Sequence, residues 1–342
     1  MSSAISSAVR APGAWLAVAG FVAIGAAGLA LPQWQFLVSV ALSKGIVALG
    51  LALLLRTGLA SFGQALFFAV GAYCVGLGMN YYGLTELFAL LAISMVVSAA
   101  LAFVLGFLLA RYRDIFFAML TLALSMICYG LLLNNVELGG SDGFNVNAPT
   151  LGSSAEPWQL AGTNLFAVGF IAAIVCVMVV ALYMRSTPGR LGPVIKDNEI
   201  RVEYLGTSAR TNIHLTYVIA GALAGLGGAL QAFNIGHIDP DMAFWTTSGE
   251  FVFIAVLSGT RFAFSPFIGA LLLEVARAMA YRYAPNTWQI VMGAIMLAII
   301  AFLPGGLTSL GLGRRKSGAA HPVTQTAANT AAKTASASGD AA

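Results

Sequence analysis

The charged side chains of this sequence are few, and a group of them lies between residues 186 and 206. Charged residues make up 9% of the chain, against about 25% in ordinary soluble domains. Charged and amide groups at this density could bind a polar partner surface through ion pairs and hydrogen bonds. The groups are those of Arg190, Lys196, Asp197, Asn198, Glu199, Arg201 and Glu203. From the pattern alone, a solvated loop and a docking element are both open.

The same segment carries start and stop signals for a helix. Pro193 sits where a helix start accepts a missing N–H, and Gly206 sits where a left-handed cap is wanted. The residues between them suit about three helical turns. Val194 and Val202 contribute to a partial apolar face opposite the charged one. The pattern predicts a short docking helix that begins at Pro193.

A second set of polar residues lies within apolar stretches and could line a path for a polar solute. Between residues 56 and 73, Gly58, Gly63 and Gly71 interrupt an apolar run that also contains Ser61 and Gln64. Irregular backbone at membrane depth is tolerated only where protein or an aqueous cavity satisfies it, so this stretch predicts a broken or re-entrant helix beside a path. Close packing through small residues is the alternative.

We expect the path to be lined by residues from several helices. A packing role at helix interfaces is the alternative for Tyr73 and Gln231. The predicted path residues are Ser61, Gln64, Tyr73, Gln231, Asn234 and Glu250.

Some charged residues lie inside apolar runs. Lys44 falls within the run 36–55, and because an ammonium at that depth is costly, the bundle must shelter it. Glu274 and Arg277 are one helical turn apart, which favours a structural ion pair over an ion-coupling site. Glu250 lies near the outer end of its predicted helix, where its side chain could also snorkel or cap.

The sequence gives little support for catalysis. His214, His237 and His321 have neither the HExxH spacing nor a plausible metal cluster around them, and no Ser/His/Asp set can be named. The chain has no GxxxxGK[ST] phosphate-binding loop, so we expect it to bind no ATP or other cofactor itself. We therefore predict no catalytic residues and no metal site. The cysteines all fall inside apolar runs, which is typical of packing residues.

The composition and the recurrent apolar runs predict membrane-spanning helices as the elements that carry these residues. The chain is 59% hydrophobic with a mean hydropathy of +0.87, and apolar runs near 20 residues recur. Each such run could cross a membrane of about 30 Å as a helix. The fold class predicted is an all-α polytopic helical bundle in the lipid bilayer, with about ten spans. The spans are 14–31, 36–55, 65–79, 84–110, 115–133, 166–184, 213–233, 248–259, 262–280 and 288–303.

The basic residues indicate the orientation of the bundle. With the N-terminal segment 1–13 in the cytoplasm, nearly all Lys and Arg residues fall on one side, as the positive-inside rule requires. Both termini and the segment 186–206 are then cytoplasmic, while the loops 134–164 and 234–247 are external. The run 14–31 is too long for a signal peptide, so we take it as the start of a membrane domain covering 14–313. The Ala/Thr/Ser-rich tail 314–342 should be disordered. The net charge of +4 comes without a basic, aromatic-rich face, so a nucleic-acid partner is not expected.

The segment 186–206 resembles a motif of a known family. Gly189-Arg190, the run 195–199 (Ile-Lys-Asp-Asn-Glu) and the run 203–206 (Glu-Tyr-Leu-Gly) are similar to the pattern of LivM-like permease subunits of ABC importers for branched-chain amino acids and related amides. In that family the segment is the coupling helix that contacts the ATP-binding subunit. The resemblance implies this role for Gly189, Arg190, Lys196, Asp197, Asn198, Glu199, Glu203 and Gly206.

The resemblance extends over about 250 residues, so it is not confined to one short helix. The stretch 58–73 resembles a glycine-rich stretch of the family. The external loop of the family resembles the loop of this sequence that contains Gly140, Ser141, Asp142 and Gly143. Asp239-Pro240, Ser248-Gly-Glu250 and the run 304–307 match further family positions in the same order. The sequence departs from the pattern at Pro193, a commonly basic position, and at Arg261, where small residues are usual.

The resemblance implies a multi-pass permease of the bacterial inner membrane. Its partners would be a second homologous permease subunit, two ATP-binding subunits that use ATP, and an extracytoplasmic solute-binding protein. The solute would be a small amino acid or amide, carried inward by alternating access. The alternative is a self-sufficient secondary transporter or channel, for which Lys44, Glu250 and the Glu274/Arg277 pair would be the coupling groups.

Overall fold

The computed structural model describes most of the membrane region. It covers residues 34–151, 158–159, 162–204 and 206–283, with single positions at 25, 285, 287, 290, 292–294 and 297. Most of the predicted spans 14–31 and 288–303 lies outside the described residues, as do the segment 1–13 and the tail 314–342.

The apolar runs form helices, and the polar runs form the connections between them. The helices are α1 (Gln35–Arg56), α2 (Gln64–Asn80), α3 (Leu87–Leu109), α4 (Asp114–Asn134), α5 (Thr163–Arg185), α6 (Thr187–Asp197), α7 (Glu199–Tyr204), α8 (Ala209–Ile235), α9 (Trp245–Ser258) and α10 (Ser265–Tyr283). Short 3₁₀ turns cover Val136–Leu138 and Pro240–Ala243. The all-α polytopic class predicted from composition fits this architecture.

Among the described residues, 5 helices are long and apolar enough to cross a membrane, namely α1, α3, α4, α5 and α8. The predicted number of about ten spans is not confirmed, because two predicted spans lie wholly or largely outside the described residues. In addition, α2 has 17 residues and α9 has 14, which is short of the roughly 20 residues that cross a bilayer upright.

Helix α8 lies at the centre of the described bundle, between α1, α2 and α3. Its small residues allow this, since a Cβ added at Gly228 would overlap the carbonyl of Phe68 on α2. A Cβ at Gly71 of α2 would likewise overlap the carbonyl of Gly225 on α8. Such backbone contact is typical of small-residue helix interfaces in membranes. Helix α8 therefore packs closely against its neighbours through small residues.

The interruption predicted near residues 56–73 is present. Helix α1 ends at Arg56, and α2 begins at Gln64 after a non-helical stretch. Within that stretch Thr57, Leu59 and Ser61 are buried. A second irregular stretch precedes α9, where the carbonyl of Ala243 accepts a hydrogen bond of 2.8 Å from Ser125 Oγ.

Short strands close the end of the bundle opposite α6 and α7. The strand β1 (Phe144–Asn145) pairs antiparallel with β4 (His237–Ile238), and β2 (Thr150–Leu151) pairs antiparallel with β3 (Trp158–Gln159). The β1–β4 pair fastens the loop after α4 to the connection after α8.

Candidate functional site: a docking surface and a polar bundle interior

The segment 186–206 folds as two short helices and not as one. Helix α6 begins at Thr187, so the predicted start at Pro193 is wrong. Pro188 occupies the first helical turn instead, where a proline is favoured, and Pro193 lies inside α6. The backbone becomes extended at Asn198, whose Oδ1 accepts the N–H of Arg201 and so caps α7. Gly206 has φ +80°, which agrees with the left-handed conformation expected there.

The predicted coupling residues divide into an exposed and an inner group. Gly189 is buried, and a Cβ there would overlap the carbonyl of Tyr183, so glycine is required where α5 turns into α6. The carboxylate of Glu199 is half-buried and turns towards the bundle. The exposed residues are Arg190, Lys196, Asp197, Asn198, Glu203 and Gly206.

Glu199 binds Arg113, in the connection between α3 and α4. The guanidinium Nε and Nη2 atoms donate to the two carboxylate oxygens at 2.8 and 2.6 Å. Such a bidentate pair is among the stronger polar contacts in proteins. The hydrogen bond from Arg113 holds the pKa of Glu199 below its ordinary value although burial raises it. Glu199 therefore fastens α7 to the bundle and is unavailable to an outside partner in this conformation.

Two exposed apolar side chains of α7 were missed by sequence reasoning. Ile200 is 66% exposed and Tyr204 is 87% exposed, while Val202 between them is buried. Their i, i+4 spacing places them on one face of α7, opposite Val202. That spacing could have identified them. Exposed tyrosine beside charged groups is typical of the anchors of protein interfaces.

Helix α6 packs directly on the interruption between α1 and α2. A Cβ at Gly192 would lie 3.3 Å from Thr57 Cγ2, and a Cβ at Gly58 would lie 3.2 Å from Lys196 Cγ. Helix α6 therefore adjoins the irregular backbone that contains Ser61 and precedes Gln64.

Ser61 and Gln64 lie together at the start of α2 and are fully buried. Ser61 Oγ accepts the N–H of Gly63 at 3.3 Å, and Ser248 Oγ of α9 accepts the N–H of Ala65 at 2.9 Å. Both side-chain amide atoms of Gln64 are buried without a hydrogen-bond partner. The first turns of α2 and α9 thus meet beside an unpaired amide.

Three other predicted path residues lie on α2 and α8, namely Tyr73, Gln231 and Asn234. Tyr73 and Gln231 are buried, and the hydroxyl of the first and Oε1 of the second have no hydrogen-bond partner. Asn234 Nδ2 donates to Ser43 Oγ at 3.0 Å. No hydrogen bond between described residues joins this group to Ser61 and Gln64.

Lys44 is the centre of a charge cluster formed by Lys44, Glu250, Glu274 and Arg277. Its Nζ lies 2.7 Å from Glu250 Oε1 and 2.6 Å from Glu274 Oε1. Arg277 Nη2 lies 2.6 Å from Glu250 Oε2, and its Nη1 lies 3.4 Å from Glu274 Oε1. The expected shelter for Lys44 is confirmed. The alternative in which Glu250 snorkels or caps is wrong, because its carboxylate pairs with two cations.

The loop between α4 and β1 contains the predicted external residues. Gly140 and Gly143 have φ of +55° and +66°, a region that favours glycine. A Cβ at Gly143 would also overlap the carbonyl of Ile238. Ser141 and Asp142 are exposed at the tip, where Ser141 Oγ donates to Asp142 Oδ1 at 3.0 Å.

In the part of the chain that the structure describes, no group of three or more His, Cys, Asp or Glu side chains could hold a metal ion.

A family model described as branched-chain amino acid transport system, permease component, matches residues 34–300. This range covers all the long helices described above. No solved structure matches the chain significantly.

Curated relatives match over much of the chain. The chain is 30% identical to the high-affinity branched-chain amino acid transport system permease protein LivM of Salmonella typhimurium over 307 residues, which cover 80% of this chain and 71% of the relative. It is 29% identical to LivM of Escherichia coli over the same shares of both chains. It is 26% identical to the permease protein LivH of Salmonella typhimurium over 47% of this chain and 53% of the relative.

Proposed function

Because the chain belongs to the family of permease components of branched-chain amino acid transport systems, we propose that it is the translocating subunit of an ATP-binding-cassette importer. A small amino acid or amide solute is handed over by an extracytoplasmic binding protein. The solute then crosses by alternating access, driven by separate ATPase subunits. A second, homologous permease subunit completes the membrane part, a role that the similarity to both LivM and LivH supports.

The observation that carries the proposal is the docking surface, defined as the exposed side chains of α6 and α7. It combines the charges of Arg190, Asp197 and Glu203 with the apolar Ile200 and Tyr204. Charged groups around an aromatic anchor are typical of protein interfaces. An ATPase subunit is the partner proposed for it, with this end of the bundle in the cytoplasm.

The proposed path uses the unpaired polar groups in the bundle. Buried amide and hydroxyl groups cost free energy when they have no hydrogen-bond partner, and a passing solute or its water would offset that cost at Gln64, Tyr73 and Gln231. In the proposed cycle these groups bind the passing solute or its water. At the opposite end, Ser141 and Asp142 are proposed to contact the solute-binding protein.

A secondary transporter receives less support from the charge cluster. Ion coupling needs a carboxylate that gains and loses a cation during transport. Glu250 and Glu274 are both held by Lys44 and Arg277, so neither is a free site in this conformation.

The docking surface is tested by copurification of ATPase subunits with the intact chain. We expect Tyr204→Ala combined with Ile200→Ala to lower the affinity for the ATPase by about thirtyfold or more, since removal of interface anchors costs about 2 kcal/mol or more. The matched control is Tyr82→Ala, which removes another highly exposed tyrosine (79%), in the connection between α2 and α3. Unchanged ATPase binding by the double variant would contradict the assignment.

A further inference from the structure

The Arg113–Glu199 pair joins three elements at the end of the bundle that carries the docking surface. Besides the two bonds to Glu199, Arg113 Nη1 donates to the carbonyls of Ala110 at 2.7 Å and Tyr112 at 2.9 Å. Ala110 caps the end of α3, Arg113 precedes the first residue of α4, and Glu199 begins α7. One guanidinium thus fixes α7 against the α3–α4 connection.

The backbone beside this pair is held in an unusual conformation. Asp114 has φ +50° and is the one described residue other than glycine with a positive φ. Such a conformation costs free energy in a residue with a Cβ and persists where surrounding contacts enforce it. The backbone at the start of α4 is therefore conformationally constrained.

Further along its length, α4 forms hydrogen bonds with both irregular stretches of the bundle. Thr121 Oγ1 accepts the N–H of Phe62, in the stretch between α1 and α2, at 3.1 Å. One turn later, Ser125 Oγ donates to the carbonyl of Ala243, in the stretch before α9, at 2.8 Å. Because a helix is stiff over this distance, displacing the start of α4 displaces both attachments together.

We propose that Arg113 is a positioning residue that transmits movement of α7 to α4 and so to the irregular stretches 57–63 and 240–244. The inference rests on the proposed function, because movement of α7 is what a docked ATPase would supply. Helix α6 already contacts Thr57 and Gly58 directly. The Arg113–Glu199 pair adds a second route, through α4, that also reaches the start of α9.

The first test needs no ATPase and compares backbone amide hydrogen exchange in the purified full chain. We expect Glu199→Gln to raise exchange about tenfold at residues 60–63 and 243–247 as well as beside Arg113. A local role would raise exchange near residues 110–114 and 198–201 alone, and that result would overturn the proposal. Arg111→Gln is the control, because it removes an exposed arginine of the same connection.

The second test uses the complex with ATPase subunits and measures solute imported per ATP hydrolysed. Arg113→Gln and Glu199→Gln should each lower this ratio about five- to tenfold, with the double variant no worse than either single variant. Additive losses, or ratios equal to that of Arg111→Gln, would refute the coupling role. If Arg113→Gln does not fold, the transport ratios of Glu199→Gln and Glu199→Asp are compared with that of Arg111→Gln instead. If no ATPase binds even the unmodified chain, the proposed function fails, and the exchange experiment still decides the inference.

Discussion

Gln64 is a buried polar residue whose side chain costs stability and has a proposed role in transport. It is the first residue of α2, it is fully buried, and neither atom of its amide has a hydrogen-bond partner. Leucine fills a similar volume without the cost of desolvating an amide. A glutamine at this place therefore lowers stability, and contact with a polar solute or its water would compensate during transport.

Replacing Gln64 by leucine should separate stability from transport. We expect Gln64→Leu to raise the free energy of unfolding by about 1 kcal/mol, because an unpaired buried amide is removed. Uptake should fall about tenfold while the complex still assembles. Thermal unfolding and uptake by the reconstituted transporter measure the two effects.

The matched control for Gln64 is Asn212→Leu near the start of α8. Asn212 is also buried with both amide atoms unpaired, but it is not among the proposed path residues. It should gain stability with uptake unchanged. If Gln64→Leu transports as well as this control, Gln64 is not a path residue.

The burial of polar residues could be predicted from the sequence, but their partners could not. The cost of an ammonium within an apolar run correctly predicted that Lys44 is sheltered. Its actual partners, Glu250 and Glu274, are 206 and 230 residues away along the chain. Glu199 was predicted for the docking surface because its neighbours in sequence are charged, and only the fold brings Arg113 to it.

At the scale of elements, apolar runs located the long helices within a few residues because their length is set by the membrane. The α6–α7 boundary depends on local caps instead. Pro188 and Pro193 are both candidates for a helix start, and Asn198 can cap a new helix or continue an old one. The turn that follows α5 decides between them, and it requires Gly189 against the backbone of Tyr183.

The charge cluster fastens α9 and α10 to α1. Lys44 lies on α1, Glu250 on α9, and Glu274 and Arg277 on α10. The formal charges balance within the cluster, so removal of any one member leaves an uncompensated charge in the bundle. Breaking a buried pair in this way costs about 3–5 kcal/mol.

Lys44→Met should therefore destabilise the chain by about 3 kcal/mol. The double variant Lys44→Met/Glu274→Gln keeps the Arg277–Glu250 pair and restores neutrality, so we expect it to recover part of the loss. Thermal unfolding in detergent measures both variants, with Lys196→Met as a control at an exposed lysine. A double variant less stable than Lys44→Met alone would show that net charge does not govern the cluster.

At the scale of the molecule, the described bundle connects a docking surface at one end with irregular backbone beside unpaired polar groups. Helix α6 reaches this backbone directly through Thr57 and Gly58, and α7 reaches it through Arg113 and α4. The opposite end, closed by short strands, presents Ser141 and Asp142. This arrangement suits the proposed subunit, which an ATPase would move at one end and which would receive solute at the other.

We expect this chain to carry solute only when separate subunits hydrolyse ATP. The direct measurement is uptake of labelled leucine, isoleucine and valine into liposomes, with the chain reconstituted alone or together with its partner permease, ATPase subunits and binding protein. We predict ATP-dependent accumulation by the full assembly and none by the chain alone. Uptake by the purified chain without an ATPase subunit would contradict this expectation.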